Sequence, residues 1–316
     1  FNNNSTIFAA VNVASLNMNS LKTKRVRMIV GIIVGIVAVA VIVGFVFVNQ
    51  PSFGRAPQGE RLERIKKSPH YKDGEFRNLH STMMMTSQKG RLGAFWGFLF
   101  KQETDLRPEK EIPVIKTDLS KISKDENVLV WFGHSSYLIQ TGGKRILVDP
   151  VFCMASPVSF VNKPFKGTEL YTPDDMPDID YLVISHDHWD HLDYNTVKKL
   201  KDRIGAVICP LGVGEHFEYW GFDKERLIEL DWNEDANLVP GFMIHCLPAR
   251  HFSGRGLRSN RTLWASFLVE ASGRKVYIGG DGGYGAHYAD IGKRFPRIDL
   301  AVLENGQYNV DWRYIH

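Results

Sequence analysis

Cysteine is nearly missing from this chain: Cys153, Cys209 and Cys246 are the only three in 316 residues. None forms a CxxC pair, so neither a disulfide framework nor a thiolate zinc site is encoded. A domain of this length needs no disulfides wherever it resides, so the scarcity assigns no compartment. Acidic residues are thin in the first part of the chain, where residues 1–120 carry 17 Lys and Arg against 9 Asp and Glu, or +8. The remainder carries 22 against 26, or −4, which tolerates bound cations. The basic part flanks an apolar run, which suits anionic lipid headgroups better than nucleic acid, and no nucleic-acid partner is expected. Charge is wholly absent from Met28 to Val48, a run of 21 residues. At helical rise this run covers roughly 30 Å, the hydrocarbon thickness of a bilayer. The spacing predicts one transmembrane helix over 28–48. A cleaved signal peptide fits less well, because the run exceeds an h-region of about 7 to 15 residues and NQPSFG after it offers no A-x-A site.

What is present divides the chain further. Residues 1–27 are a tail that opens on Phe1 and the low-complexity FNNNST, which reads as a fragment or an extended reading frame. Lys22, Lys24, Arg25 and Arg27 directly precede the span, and the ten residues after Val48 hold only Arg55. That asymmetry predicts a cytoplasmic N-terminus and an extracytoplasmic main domain, although Arg61, Arg64, Lys66 and Lys67 lie close behind. Gly31-x-x-x-Gly35 has helix-pairing spacing, common by chance in such spans. Residues 49–120 form a basic linker and extension, with an apolar burst LGAFWGFLF at 92–100 that reads first as a buried helix and second as a membrane-interface segment. Met83, Met84 and Met85 suit a core or a lipid-binding groove alike.

From about residue 121 to 316 the texture is that of an α/β domain with mixed sheets. Short apolar runs appear at 127–133, 136–150 and 180–186, the second reading as a hairpin about Gly142-Gly143. AVICP, FMIHCLP, LWASFLVE, KVYIGG and DLAVLE read as further strands, and helical patterns occupy 193–203 and 286–294. The chemistry concentrates in SHDHWDH, residues 185–191. His186, His188, Asp190 and His191 fall in the turn between a strand and a helix, where two imidazoles share one cation while Asp190 and His191 address a second. Four ligand-type side chains in six residues outweigh a solvated polar loop. His251 in PARHFSGRG and Asp281 in KVYIGGDGGYG sit just beyond strands and fit as distant ligands, with Asp281 able to bridge two ions, though each could merely cap a turn. Asp149 after RILV suits an acceptor that orients a ligand imidazole, or the start of an Asp-Pro turn. His134, His245 and His287 read as structural histidines.

Gly280-x-Gly282-x-x-Gly285 follows a strand and precedes a helix, with Glu304 beyond the next strand, as in a dinucleotide fingerprint. A nucleotide-binding membrane protein is therefore a rival reading. Against it, Asp281 puts a carboxylate where a pyrophosphate would sit, and only 31 residues follow Gly285.

The HxHxDH run, Asp149, His251 and Asp281, in that order, resemble the metallo-β-lactamase superfamily over roughly 128–316. WFGHSSYLI, ILVDPVFCMASP, PDIDYLVISHDHWDHLDYNTVKKL and VPGFMIHCLPARHFSGR are similar to its N-acylphosphatidylethanolamine-hydrolysing phospholipase D branch. The resemblance implies an αβ/βα sandwich of two mixed β-sheets. It implies two divalent ions, zinc first with manganese or iron fitting the same donors: His186, His188 and His251 on one, Asp190 and His191 on the other, Asp281 on both. It places His316 beside the scissile phosphate, and puts a last metal histidine beyond His316, so the domain is expected to be C-terminally incomplete. The implied reaction is attack of a metal-bound hydroxide on a phospholipid phosphodiester at a membrane, releasing phosphatidic acid and an N-acylethanolamine. Asp190, Asp281 and His316 are the expected catalytic residues. A lactone, β-lactam or sugar-phosphate ester is the alternative bond. A homodimer is compatible with the sequence, which sets no oligomeric state.

Overall fold

The computed structural model describes residues 4–86, 90, 93, 96–97, 107–158, 161–305 and 311–316, with side chains from Thr23 onward. Most of the apolar run 92–100 lies outside them. The chain divides into two compact units, residues 1–50 and 51–316. The first is a helix, α1 (Asn4–Val48). Its Thr23–Val48 portion is long and apolar enough to cross a membrane, and none of that surface is buried within the chain. In water the whole stripe would stay hydrated, which a bilayer avoids.

The second unit begins with a short helix, α2 (Gly59–Lys66), and a small hairpin of β1 (Tyr71–Lys72) and β2 (Glu75–Phe76). Although the sequence texture changes only at 121, this extension is part of the compact unit, because Ile65 and Phe76 are fully buried in the central core. Arg61 holds it to the body through Glu215, Glu218 and Glu229 at 2.5, 3.0 and 2.6 Å.

The first sheet runs β3 (Val128–Gly133), β4 (Ser136–Thr141), β5 (Lys144–Val148), β6 (Ile179–Val183), β7 (Ile204–Pro210) and β8 (Leu227–Leu230) in spatial order. Its first three strands are antiparallel hairpins and its last four run parallel, joined by crossovers that include α3 (Tyr194–Leu200) and α4 (Gly214–Tyr219). The second sheet holds β9 (Asp235–Val239), β10 (Phe242–Leu247), β11 (Ser266–Ala271), β12 (Arg274–Ile278) and β13 (Leu300–Val302), antiparallel except for the β12–β13 pair. Helix α5 (His287–Arg294) precedes β13.

Period-two alternation explains the layers. Ile146, Val148, Tyr181 and Val183 of the first sheet meet Phe267, Val269, Val276 and Ile278 of the second in one shared core. The intervening Leu147, Leu182 and Val207 point the other way, onto Val197 and Leu200 of α3 and Phe217 of α4. Leu268 and Tyr277 point outward onto Ile291 of α5 and Phe295. Helices thus cover the outer face of each sheet, the αβ/βα arrangement expected. Two edge strands, β8 and β9, had no clear signal in the sequence. Strand β9 is an exposed Asp-Ala-Asn-Leu-Val run that buries little on either face, so pairing with β10, rather than apolar pattern, makes it a strand.

Candidate metal centre

Four strands end at one rim. Asp149 follows β5, Ser185 and His186 follow β6, His251 lies four residues past β10, and Asp281 three past β12. The two sheets meet there, with Ala265 N–H donating to the Ser185 carbonyl at 2.9 Å. Gly280 takes a φ of 60°, and a Cβ on it would lie 2.6 Å from Ser185 Cβ, so only glycine permits this approach. Past the histidines the chain turns, with Leu192 N–H donating to the His188 carbonyl at 2.8 Å, and Asp193 starts α3 by accepting from Asn195 N–H at 3.0 Å.

The imidazoles converge. His186 Nε2 lies 2.9 Å from His188 Nδ1, which lies 3.2 Å from His251 Nε2. Their outer nitrogens are committed. Ser185 Oγ donates to Asp149 Oδ2 at 2.6 Å, so at 2.9 Å it accepts from His186 Nδ1–H, and His251 Nδ1–H donates to the Ile315 carbonyl at 2.8 Å. Both Nε2 atoms therefore present lone pairs to one point, and a proton on His188 Nδ1 can satisfy only one of them. A cation would satisfy all three. His191 repeats the logic: Nδ1–H donates to Asp149 Oδ2 at 2.9 Å, which leaves the Nε2 lone pair facing Asp281 Oδ2 at 3.2 Å. That buried Nε2 has no hydrogen-bond partner. An acceptor facing an acceptor in the interior is the signature of a cation-binding pair.

Four overlapping groups could hold metal ions: His186 with His188 and His251, His134 with Asp190 and His191, His186 with His191 and Asp281, and His251 with Asp281 and His316. The electrostatics are strongly polarised. Burial drives the His186 and His251 imidazoles far below their ordinary range, and lowers His188 as well. Burial opposes ionisation of Asp281, yet the surrounding imidazoles, His191 foremost, hold its carboxyl well below the usual range. Burial likewise works against charge on His191, but Asp281 and Asp149 override it and raise that imidazole strongly. A metal ion at Nε2 would take the place of that proton.

His316 joins the cluster beside His251 and Asp281, with its ring centroid 5.0 Å from that of His251. Its Nδ1 donates to Glu304 Oε1 at 2.7 Å and lies 3.9 Å from Asp281 Oδ2. Burial lowers and Glu304 raises this imidazole, with a net rise. His134 departs from its expected structural role. It takes a φ of 46° in the β3–β4 turn, held by Trp131 Nε1 donating to its carbonyl at 2.8 Å, and its Nε2 lies 3.5 Å from Asp190 Oδ2. The left-handed conformation is invisible in the sequence FGHSSY. His245 sits instead on β10, bonded to Asp235 at 2.6 Å.

Three further residues went unnoticed. Ser185 ties Asp149 to His186. Asn78 brackets the His251 backbone, donating to its carbonyl at 2.8 Å and accepting from its N–H at 3.1 Å. Arg255, almost fully buried, donates to the carbonyls of Asp187, His188 and Leu192 behind the metal loop and to that of Ser52. Its guanidinium lies 4.3 Å over Trp189, and burial lowers it to about 10 despite the nearby Asp187. Asp187, the residue between the first two histidines, accepts from His216, Thr262 and Gly254.

The Gly280–Gly285 loop is thus occupied by the Asp281 carboxylate among imidazoles, which leaves the nucleotide reading without support. A family model described as the beta-lactamase superfamily domain matches residues 144–316. The chain belongs to the metallo-β-lactamase superfamily and is a metal-dependent hydrolase of it. An uncharacterized protein of Mycobacterium tuberculosis is 38% identical over 256 residues, 79% of this chain and 68% of that one. An N-acyl-phosphatidylethanolamine-hydrolyzing phospholipase D of Caenorhabditis elegans is 33% identical over 197 residues, 58% of this chain and 54% of that relative, so the chain spans about half of its length. Among solved structures, the metallo hydrolase Igni18 of Ignicoccus hospitalis is 22% identical with a TM-score of 0.43, covering 58% of this chain and 72% of that one.

Proposed function

We propose that the chain is a membrane-anchored phosphodiesterase that hydrolyses N-acylphosphatidylethanolamine-like phospholipids in the manner of a phospholipase D. The observation that carries the reading is the convergence of His186, His188, His191, His251 and Asp281 in a buried cleft, taken with the kinship to a phospholipase D of that substrate class.

His186, His188 and His251 would hold one divalent cation, Asp190 and His191 a second, and Asp281 both; zinc suits these donors, and manganese or iron suits them too. When bound, such ions supply Lewis acidity toward phosphate oxygens and make water acidic enough to be a nucleophile near neutrality. The chain's own residues do the rest. Asp149 and Ser185 lock the tautomers of His191 and His186 so that Nε2 of each faces the cleft. Asp190, partly exposed, accepts the proton from the incoming water, while Asp281 stays a carboxylate that helps hold the ions. His316, whose imidazole Glu304 shifts toward the protonated form, donates from Nε2 to the departing alcohol oxygen. Water is consumed, the P–O bond to the N-acylethanolamine breaks, and phosphatidic acid remains.

The helix Thr23–Val48 would anchor the enzyme in the membrane that contains its substrate, with Lys22, Lys24, Arg25 and Arg27 on the cytoplasmic side and the catalytic unit outside. The test is hydrolysis of N-acylphosphatidylethanolamine by the full chain in detergent, with metal content measured on the same sample. Two equivalents of metal and release of phosphatidic acid are expected. Cleavage of a lactone, β-lactam or sugar-phosphate ester with no action on the lipid would overturn the substrate assignment. Full lipid hydrolysis by His188→Ala would overturn the mechanism.

A further inference from the structure

Behind His251, on the side of Arg250, lies a cavity of about 140 Å³ that shares no residue with the metal-ligand groups. Arg250, His287, His80 and Asn78 are among the residues that line it, together with Gly285 and Ala286, and no carboxylate is among them. Asn78 is already committed to the His251 backbone and to Trp264, so the free polar capacity belongs to the Arg250, His287 and His80 side chains.

Each of these groups lacks a counter-charge. Arg250 donates from Nε to Thr82 Oγ1 at 3.1 Å and from Nη1 to the Tyr284 carbonyl at 2.9 Å, both neutral, and it makes no ion pair among the described residues. Its guanidinium rests 4.9 Å from the Tyr314 ring. His287 is 93% buried, lies tilted against Tyr288 with ring centroids 4.3 Å apart, and its imidazole has no hydrogen bond among the described residues, so its ring nitrogens are available to a ligand in the cavity.

Helix α5 begins at His287, and the N–H groups of Tyr288, Ala289 and Asp290 are taken up by the Gly285 and Ala286 carbonyls, so side chains carry the polarity of this wall. Burial, Arg250 and His80 all push the His287 imidazole down, while Asp290 alone opposes them from an exposed position beside Lys293. An anion would supply the counter-charge that Arg250 lacks and could accept from the His287 ring. Leu79 in the wall and Tyr284 at the mouth are both exposed, so the opening is apolar around a polar floor.

We propose that this cavity is a second anion site, distinct from the metal centre, that binds a phosphate-class oxyanion, either a phosphomonoester lipid headgroup or free phosphate. A tetrahedral dianion can accept from the Arg250 guanidinium and from the His287 ring at once. The proposal does not depend on which bond the metal centre cleaves.

Equilibrium dialysis of the metal-loaded full chain in detergent tests it, with inorganic phosphate and with soluble dihexanoylphosphatidic acid as probes. His287→Phe keeps a ring against Tyr288 and removes its nitrogens, and Arg250→Gln removes the charge. The wild type is expected to bind two equivalents, one at the metals and one here. Each variant should lose the second equivalent, or bind it about tenfold more weakly, as one charge-assisted hydrogen bond implies. Metal content should stay unchanged, which separates this loss from unfolding. Loss confined to the phosphatidic acid identifies a lipid headgroup, and loss confined to phosphate identifies the free ion. Unchanged stoichiometry and affinity in both variants with both probes would overturn the site.

Discussion

The two halves of the metal cleft are built differently. On one side His186 and His251 are buried and His188 is half-buried, and the outer nitrogens of the two buried rings are held by Ser185 and the Ile315 carbonyl. On the other, the Asp190 and His134 side chains are 28% and 46% exposed, and they touch only at 3.5 Å. The closed half has its orientations set in advance by the fold. The open half keeps room for water and substrate, as a hydrolytic metal site requires. Rigidity is therefore concentrated where affinity is needed and relaxed where turnover is needed.

The sharpest way to break this contrast is His188→Ala. Losing this ligand of the closed half should lower hydrolysis by roughly three orders of magnitude, about 4 kcal/mol of transition-state stabilisation, with metal content falling in parallel. A variant that keeps its metal and its rate would show that the closed half is not the anchor.

Next in size is Arg255→Met, which leaves the carbonyls behind the metal loop without their donor. Breaking a buried charge network costs about 3–5 kcal/mol, or about 10 °C in melting temperature for a unit of this size. Calorimetry that finds no change would mean the loop holds its shape unaided.

Asp149→Asn comes third. It removes the negative charge and leaves one acceptor oxygen for the three donors of Ser185 and His191, so metal affinity should drop about 10- to 100-fold while the fold survives, measured by competition with a chelator. The smallest effect belongs to the open half. His134→Ala should lower the rate less than about tenfold and leave tightly bound metal in place. If it proved as damaging as His188→Ala, the two halves would be equivalent and the comparison would fail.

The legibility of the site follows the same division. His186, His188, Asp190 and His191 occupy one turn, so their grouping needs no tertiary information beyond a strand that ends and a helix that begins. His251 and Asp281 were readable because each stands just past an apolar strand, and sheets hold strand ends together. His134 was not readable, because its place beside Asp190 depends on a left-handed backbone in the β3–β4 turn. Arg255 and Asn78 act over 67 and 173 residues of chain, on backbone atoms that carry no residue identity to match. The strands with clean alternation were legible, whereas β8 and β9 form at sheet edges, where pairing decides and, in β9, burial is slight.

By itself the sequence determined the donor types, the order of the strands that carry them, and an apolar helix of membrane length, since all of these follow from local pattern and composition. Only the tertiary structure decided that the extension after residue 50 belongs to the core, which nitrogen of each histidine faces the cleft, and that Arg250 and His287 meet in a cavity without a counter-charge. Those outcomes depend on hydrogen-bond partners brought together from distant parts of the chain, and packing is the only physical force that selects them.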